Sequence, residues 1–382
     1  MNSSEQILLR LIRESLFNID AELPDSVDWD EVFQTAQDQA VLGLISSKYI
    51  KEVPSEWKSK WYQIVIFCER VLQAQQELVQ LLAAHGIPSA ILKGSAAAIY
   101  YPWPSLRTMG DVDIIVPQKF FDSAEELMKN SGYAVMESEE TIYNRTTAFA
   151  KQGIIYELHH HFSYRDIHIE PYIANGVSQI QTKEINGASF PMFDPVLNGL
   201  ILLVHMRSHL KSGMGLRQMI DWMMYVDKVL DDKEWEEKFK KLAETLNLQT
   251  LAINATRMCQ IFLGLSERIT WCREADDSLC MRLMDMLLST GNFGNKLGAG
   301  RGVEAVTSAF RRMGIIRYLQ VRGEDHWEIY RNHRWLRPLC WVYQIGRYFR
   351  QGIAAKRGSK LFDDLHRSKE RSDVLKKLHI KT

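Results

Sequence analysis

Apolar side chains recur at helical spacing through the first 86 residues. Ile7, Leu8, Leu11, Ile12 and Leu16 make one stripe, and Ser3 with Gln6 stands ahead of it at capping-box spacing. Asp28-Trp29-Asp30-Glu31 has the acidic start of a second helix, with Val32, Ala36, Ala40 and Leu42 as its apolar points. A third helix is predicted from Ser55 to His85 on Ile64, Phe67, Val71, Leu78 and Leu82, ending at Gly86-Ile87-Pro88. The pattern then shortens. Apolar runs predict strands over 89–92 and 111–116, with helices over 95–101 and 118–131. Thr147-Ala148-Phe149-Ala150 and Ile154-Ile155-Tyr156 flank Gln152-Gly153 and read as a hairpin. After Asp194-Pro195 helical spacing returns in Leu197, Leu200, Ile201, Val204 and Leu210, and again in Gly215–Trp222. The chain thus divides into a helical region 1–86, a mixed core 87–195, a second helical region 196–290 and a basic, aromatic-rich helical region 291–382. The predicted class is α+β: a mixed-sheet core flanked by helical regions at both ends.

Lys and Arg number 47, as do Asp and Glu, so the formal net charge is zero. That balance argues against a dedicated nucleic-acid binder, though not against a local patch. No apolar run approaches transmembrane length, and Met1-Asn2-Ser3-Ser4-Glu5 lacks a signal-peptide pattern. The cysteines (Cys68, Cys259, Cys272, Cys280, Cys340) show no CxxC spacing, which fits a reducing cytoplasm.

Candidate chemistry concentrates in Leu92-Lys93-Gly94-Ser95 and Gly110-Asp111-Val112-Asp113-Ile114-Ile115-Val116. Residues two apart on a strand share a face, so Asp111 and Asp113 project side by side. Paired carboxylates repel unless one is protonated or a cation bridges them, and Mg²⁺ takes such oxygen ligands. Gly94-Ser95 opens a helix whose free N–H groups suit phosphate; an ordinary helix start capped by Ser95 is the alternative. Glu157 in Ile154–His159 shares a strand face with His159, and both could meet Asp111 and Asp113. Glu170 in Ile167-His168-Ile169-Glu170-Pro171 is the rival, on a strand that Pro171 confines to an edge or end. Lys93 and Arg107 read either as phosphate ligands or as surface charges and carboxylate partners. His160 faces away from His159 and His161, so zinc is not expected there. His205 and His209 are i,i+4 neighbours and read as structural histidines. Trp103, in rigid Pro102-Trp103-Pro104, reads as a packed loop aromatic, with stacking on a base as the alternative.

The phrase Ile91-Leu92-Lys93-Gly94, Tyr101-Pro102, Arg107 and Gly110-Asp111-Val112-Asp113 resembles a bacterial family of uncharacterised nucleotidyltransferases. That family lies within the DNA polymerase beta-like superfamily. The resemblance implies transfer of a nucleoside monophosphate from an NTP to a hydroxyl-bearing acceptor (small molecule, peptide or protein) by a two-Mg²⁺ mechanism. Asp111, Asp113 and Glu157 would be catalytic and would hold Mg²⁺ or Mn²⁺. Lys93, Gly94, Ser95 and Arg107 would bind the nucleotide, ATP or another NTP. His159, Arg217 and Asp221 are accessory candidates, the last two also readable as a simple i,i+4 pair. A catalytically silent binding protein of the same fold and an RNA-directed nucleotidyltransferase are the competing readings. Further on, Gly294, Gly298, Gly300 and Gly302 match no phosphate-loop order. Arginines from Arg311-Arg312 through Arg317, Arg322, Arg331, Arg334, Arg337, Arg347 and Arg350 alternate with Trp327, Tyr330, Trp335, Trp341, Tyr343 and Tyr348. They read as an amphipathic helix pair with packed aromatics, or as a surface for RNA, anionic lipid or an acidic partner. The end from Lys356 reads as a helix or frayed tail.

Overall fold

The computed structural model of the protein describes residues 1–45, 49, 53–136, 146–162, 167–292, 315–327, 329–330, 333–353 and 361–380. Gly294, Gly298, Gly300, Gly302, Arg311, Arg312, Arg331 and Lys356 lie outside the described residues. The chain forms two compact units, Met1–Lys296 and Leu297–Thr382.

In the first unit, α1 (Ser3–Phe17), α2 (Trp29–Asp38) and α3 (Ser55–Ala84) follow the apolar stripes. The α1 cap differs from the expected Ser3/Gln6 box. Asn2 accepts from the Glu5 N–H, and Glu5 accepts from the Asn2 N–H, one residue earlier in register. The shift lets Ser4 turn inward and donate to Glu31 of α2 at 2.6 Å.

The five-stranded sheet has the order β1-β2-β5-β4-β3, formed by β1 (Ala90–Ile91), β2 (Asp111–Ile115), β3 (Ala134–Met136), β4 (Thr146–Lys151) and β5 (Ile154–His159). It is mixed: β2 and β5 run parallel, whereas β1/β2, β5/β4 and β4/β3 are antiparallel. Gln152 and Gly153 both take positive φ (52° and 76°), which a tight hairpin turn between β4 and β5 requires. Val112, Ile114, Tyr156 and Leu158 form the buried face of the two central strands. A short α4 (Gly94–Ala98) follows β1, and α5 (Phe121–Asn130) packs after β2.

The expected strand around Glu170 is instead a 3₁₀ turn, Ile167–Ile169, running into α6 (Glu170–Gly176) with Pro171 in its first turn. Proline is favourable there because its missing N–H would have had no helical partner. A two-stranded hairpin, β6 (Gln181–Ile185) and β7 (Ala188–Met192), completes the mixed part.

Helices α7 (Pro195–Ser212), α8 (Leu216–Lys228), α9 (Lys240–Thr245), α10 (Gln249–Leu263) and α11 (Asp277–Thr290) follow. Trp222, Tyr225, Trp235 and Phe239 are fully buried among them, and Trp235 stacks on Trp271 at 4.0 Å. Gly199 lets α7 press onto α8, since a Cβ there would lie 2.3 Å from the Tyr225 ring. Architecture and class are α+β with helical flanks, as the pattern predicts.

The second unit contains α12 (Ile315–His326), α13 (Cys340–Ile353) and α14 (Leu361–Lys377). Among the described residues no helix is long and apolar enough to cross a membrane.

Candidate active site

β2 and β5 bring the carboxylates together by register. Asp113 is paired with Glu157, Asp111 with Ile155, and Ile115 with His159. Because side chains alternate, Asp111, Asp113, Glu157 and His159 stand on the face opposite the buried Val112, Ile114, Tyr156 and Leu158. β1 lies on the other side of β2, and the Leu92 N–H donates to the Asp113 carbonyl at 2.9 Å. This delivers Lys93 to the same face. Lys93 adopts φ 48°, a left-handed value that is unfavourable for a residue with a Cβ. Gly94 follows at φ 40° and begins α4. The turn is held by the Lys93 ammonium, which donates to Asp113 Oδ1 at 2.8 Å.

Asp113 therefore has hydrogen-bond partners on two sides. His159 Nε2 lies 3.0 Å from Asp113 Oδ1 and 3.4 Å from Glu157 Oε2, while its Nδ1 meets Thr146 Oγ1 at 3.1 Å. Burial opposes ionisation of Asp113. Lys93 and the His159 hydrogen bond outweigh it and hold the carboxyl well below the ordinary range. Burial likewise pulls His159 down, but its bonds to Asp113 and Glu157 raise it above the usual imidazole value. Asp111 behaves oppositely. The neighbouring Asp113 charge, then burial, push it up to about 6 from an ordinary 3.8. The mutual repulsion expected of the pair falls almost wholly on Asp111.

Ligand atoms of Asp113, Glu157 and His159 lie within 4.8 Å of one another, the arrangement of a candidate metal site. Two carboxylates and an imidazole are a sound donor set for a divalent cation, the nitrogen suiting Mn²⁺ better than Mg²⁺. Asp111 shares the face but stands outside that cluster.

The remaining sequence candidates separate into two groups. Ser95 is fully buried and its hydroxyl donates to Gln75 Oε1 of α3 at 2.8 Å. Its side chain thus ties α4 to α3, leaving only the backbone N–H for a ligand. Arg107 is neither a surface charge nor open to solvent: Nε and Nη2 each donate to Asp221 at 2.7 Å in a bidentate fork. Tyr101 donates to the same Asp221 carboxylate at 2.7 Å. Asp221 therefore forks across the fold onto Arg107, while its charge also acts on Arg217 one turn away on α8. Arg217 donates to the Thr108 carbonyl at 3.3 Å, and burial followed by repulsion from Arg107 lowers its affinity for its proton. Together Arg107, Tyr101, Asp221 and Arg217 lock the 101–108 loop onto α8, next to the start of β2.

Glu170 accepts from His161 at 3.2 Å, away from the Asp113 cluster. His160 lies tilted against Phe121 and also against His161, each with ring centroids 4.5 Å apart, so the expected separation of His160 from His161 does not hold. His205 and His209 share a 2.7 Å Nε2–Nε2 hydrogen bond, and burial pushes both down, His209 to about 4. Trp103 is 67 % exposed, so the packed-aromatic reading fails, because the flanking prolines hold the loop out. Sequence reasoning missed Gln75 and Thr146. Gln75 had a visible signal: it falls on the Val71–Leu78–Leu82 stripe, where a polar residue needs a buried partner.

A parallel strand pair thus carries clustered carboxylates beside a Lys-Gly turn. The model of a family described as "uncharacterised nucleotidyltransferase" matches residues 25–264, and the chain belongs to that family. Among solved structures, an antigenic nucleotidyltransferase-like protein from Paracoccidioides brasiliensis is similar at 17% identity and a TM-score of 0.35. The match covers 52% of this chain and 94% of that one. No curated protein matches the chain.

Proposed function

We propose that the protein transfers a nucleoside monophosphate from an NTP to a hydroxyl-bearing acceptor, with loss of pyrophosphate. The observation that carries this is the Asp113–Glu157 register pair with Asp111 and His159 on the same strand face. Asp111, Asp113 and Glu157 would hold two Mg²⁺ or Mn²⁺ ions. When bound, the ions supply charge stabilisation at the attacking and leaving oxygens of an in-line displacement. Lys93 neutralises Asp113 and, being hinged at a strained turn, is placed to exchange that carboxylate for a nucleotide phosphate. The Gly94 and Ser95 N–H groups complete the phosphate cradle. His159, held by Thr146 and Asp113, orients Glu157 and can take a proton on the acceptor side. The Arg107–Asp221–Tyr101 cluster acts on the nucleotide indirectly, by fixing the loop that enters β2.

Thermal stability against each NTP, with and without Mg²⁺, tests the reading. A ligand that binds only the folded chain raises its melting point by mass action. A Mg²⁺-dependent rise for one NTP is expected in the wild type and not in Asp111→Ala/Asp113→Ala, each measured against its own ligand-free baseline. Transfer from that NTP should then vanish in Asp113→Asn. Near-normal transfer by Asp113→Asn would overturn the proposal.

A further inference from the structure

The Leu297–Thr382 unit separates charge from the rest of the chain. It carries 19 Lys and Arg against 8 Asp and Glu, while residues 1–296 carry 28 against 39, so a neutral chain divides into parts of +11 and −11. Segregation on that scale governs association with charged partners more than folding.

The apolar side chains of this unit divide between a buried set and an exposed one. α12 and α13 touch backbone to backbone, since a Cβ at Gly323 would fall 1.9 Å from the Cys340 carbonyl oxygen. The buried positions of α13 include Cys340 and the polar Gln344. Gln320 donates to the Arg337 carbonyl at 2.6 Å, and Arg337 donates to Glu324 at 2.9 Å. These two bonds lie at the solvent edge, and the buried apolar set beside Gln344 is small: Leu319, Tyr330 and Cys340. Outside stand Trp335 (76 % exposed), Leu339, Trp341 and Val342, with Ile316 (75 % exposed), Val321 and Ile329. Exposed Arg317 and Arg337 lie among them.

We infer that this unit rests on an anionic lipid surface. Trp335, Leu339, Trp341 and Val342 enter the boundary between headgroups and acyl chains, and the arginines meet lipid phosphates. Tryptophan and aliphatic side chains beside clustered Lys and Arg are the chemistry of an interfacial, non-spanning element. Single-stranded nucleic acid would call for open rings. Only the rings of Trp335 and Trp341 stand open among the described residues of this unit, Trp327 and Tyr343 stack on each other at 5.2 Å and 8°, and most of the exposed apolar set is aliphatic. The inference is independent of nucleotidyl transfer.

Co-sedimentation of the full chain with vesicles tests it. Phosphatidylcholine vesicles with about 30 % phosphatidylglycerol should bind at least about tenfold more strongly than phosphatidylcholine alone. Raising salt from about 50 to about 500 mM should weaken binding severalfold, because screening shortens the reach of the arginines. Trp335→Ser/Trp341→Ser and Arg317→Glu/Arg337→Gln should each lower binding by about tenfold with an unchanged melting point. Equal binding to neutral and anionic vesicles, or no binding to either, overturns the inference; this comparison needs no variant and so survives any misfolding. Saturable binding of a single-stranded RNA oligonucleotide without vesicle binding also overturns it, in favour of a nucleic-acid surface.

Discussion

Replacing Asp111 by Asn keeps the shape of the side chain and removes one of two carboxylates that repel across a strand face. In the folded chain the Asp111 carboxyl is pushed up to about 6 from 3.8, first by Asp113 and then by burial. A carboxyl raised on folding contributes stability that is complete below its unfolded value and lost as pH rises through its folded value. At pH 7 the ionised side chain thus opposes folding by about 3 kcal/mol, trimmed to about 2–3 kcal/mol by its residual solvent contact. Asp111→Asn should therefore melt about 3–8 °C above wild type at pH 7.5 in EDTA. The gain should shrink steadily toward about pH 4.5, where Asp111 is protonated in the folded protein. Scanning calorimetry of both proteins across that range gives the difference curve, in which the titrations of Asp113 and His159 largely cancel. The same variant should lose the Mg²⁺-dependent rise with NTP, trading function for stability. A variant that melts at or below wild type at pH 7.5, or a gain independent of pH, would refute the reasoning.

Ser95→Ala leaves the Gln75 amide oxygen without its buried donor. It should cost about 1–3 kcal/mol in urea unfolding while NTP-dependent stabilisation persists, and loss of the NTP response at unchanged stability would refute this. Asp221→Ala strands the buried Arg107 guanidinium and should cost about 3–5 kcal/mol. Arg107→Ala/Asp221→Ala should lose less than the sum of the single changes, as a double-mutant cycle will show. His159, raised by Asp113 and Glu157 against burial, contributes stability that is complete below the ordinary 6.5 and lost as pH rises through its higher folded value. Its imidazole titration, followed by NMR, should move down in Asp113→Asn; an unmoved midpoint would contradict the assigned bond.

Much of this was readable in the chain because the signals are local. Period-2 alternation placed Asp111 with Asp113 and Glu157 with His159, and Gln152-Gly153 marked the turn between β4 and β5. The pairing of Arg107 with Asp221 was not readable, since the two are 114 positions apart and α8 spacing offered Arg217 as a nearer partner. Ser95 misled for a related reason. Ser at a helix start is a local cue for capping or phosphate, whereas its actual partner, Gln75, lies on a preceding helix. Around Glu170 the alternation of apolar and polar residues suited a strand, but Pro171 fits the first turn of a helix equally well, and tertiary packing chose the helix.

The parallel ladder between β2 and β5 makes assembly of the carboxylate-bearing face an all-or-none event. A slip of one residue would swing Glu157 and His159 to the far side and set Tyr156 and Leu158 beside Asp113. The hydrophobic core forbids that slip, because Tyr156 and Leu158 are buried on the other face. The turn before β5 and the β4 strand share in fixing that register, since Gln152-Gly153 sets the hairpin and Thr146 of β4 bonds His159 at 3.1 Å. The carboxylates owe their alignment to apolar side chains on the opposite face of the sheet.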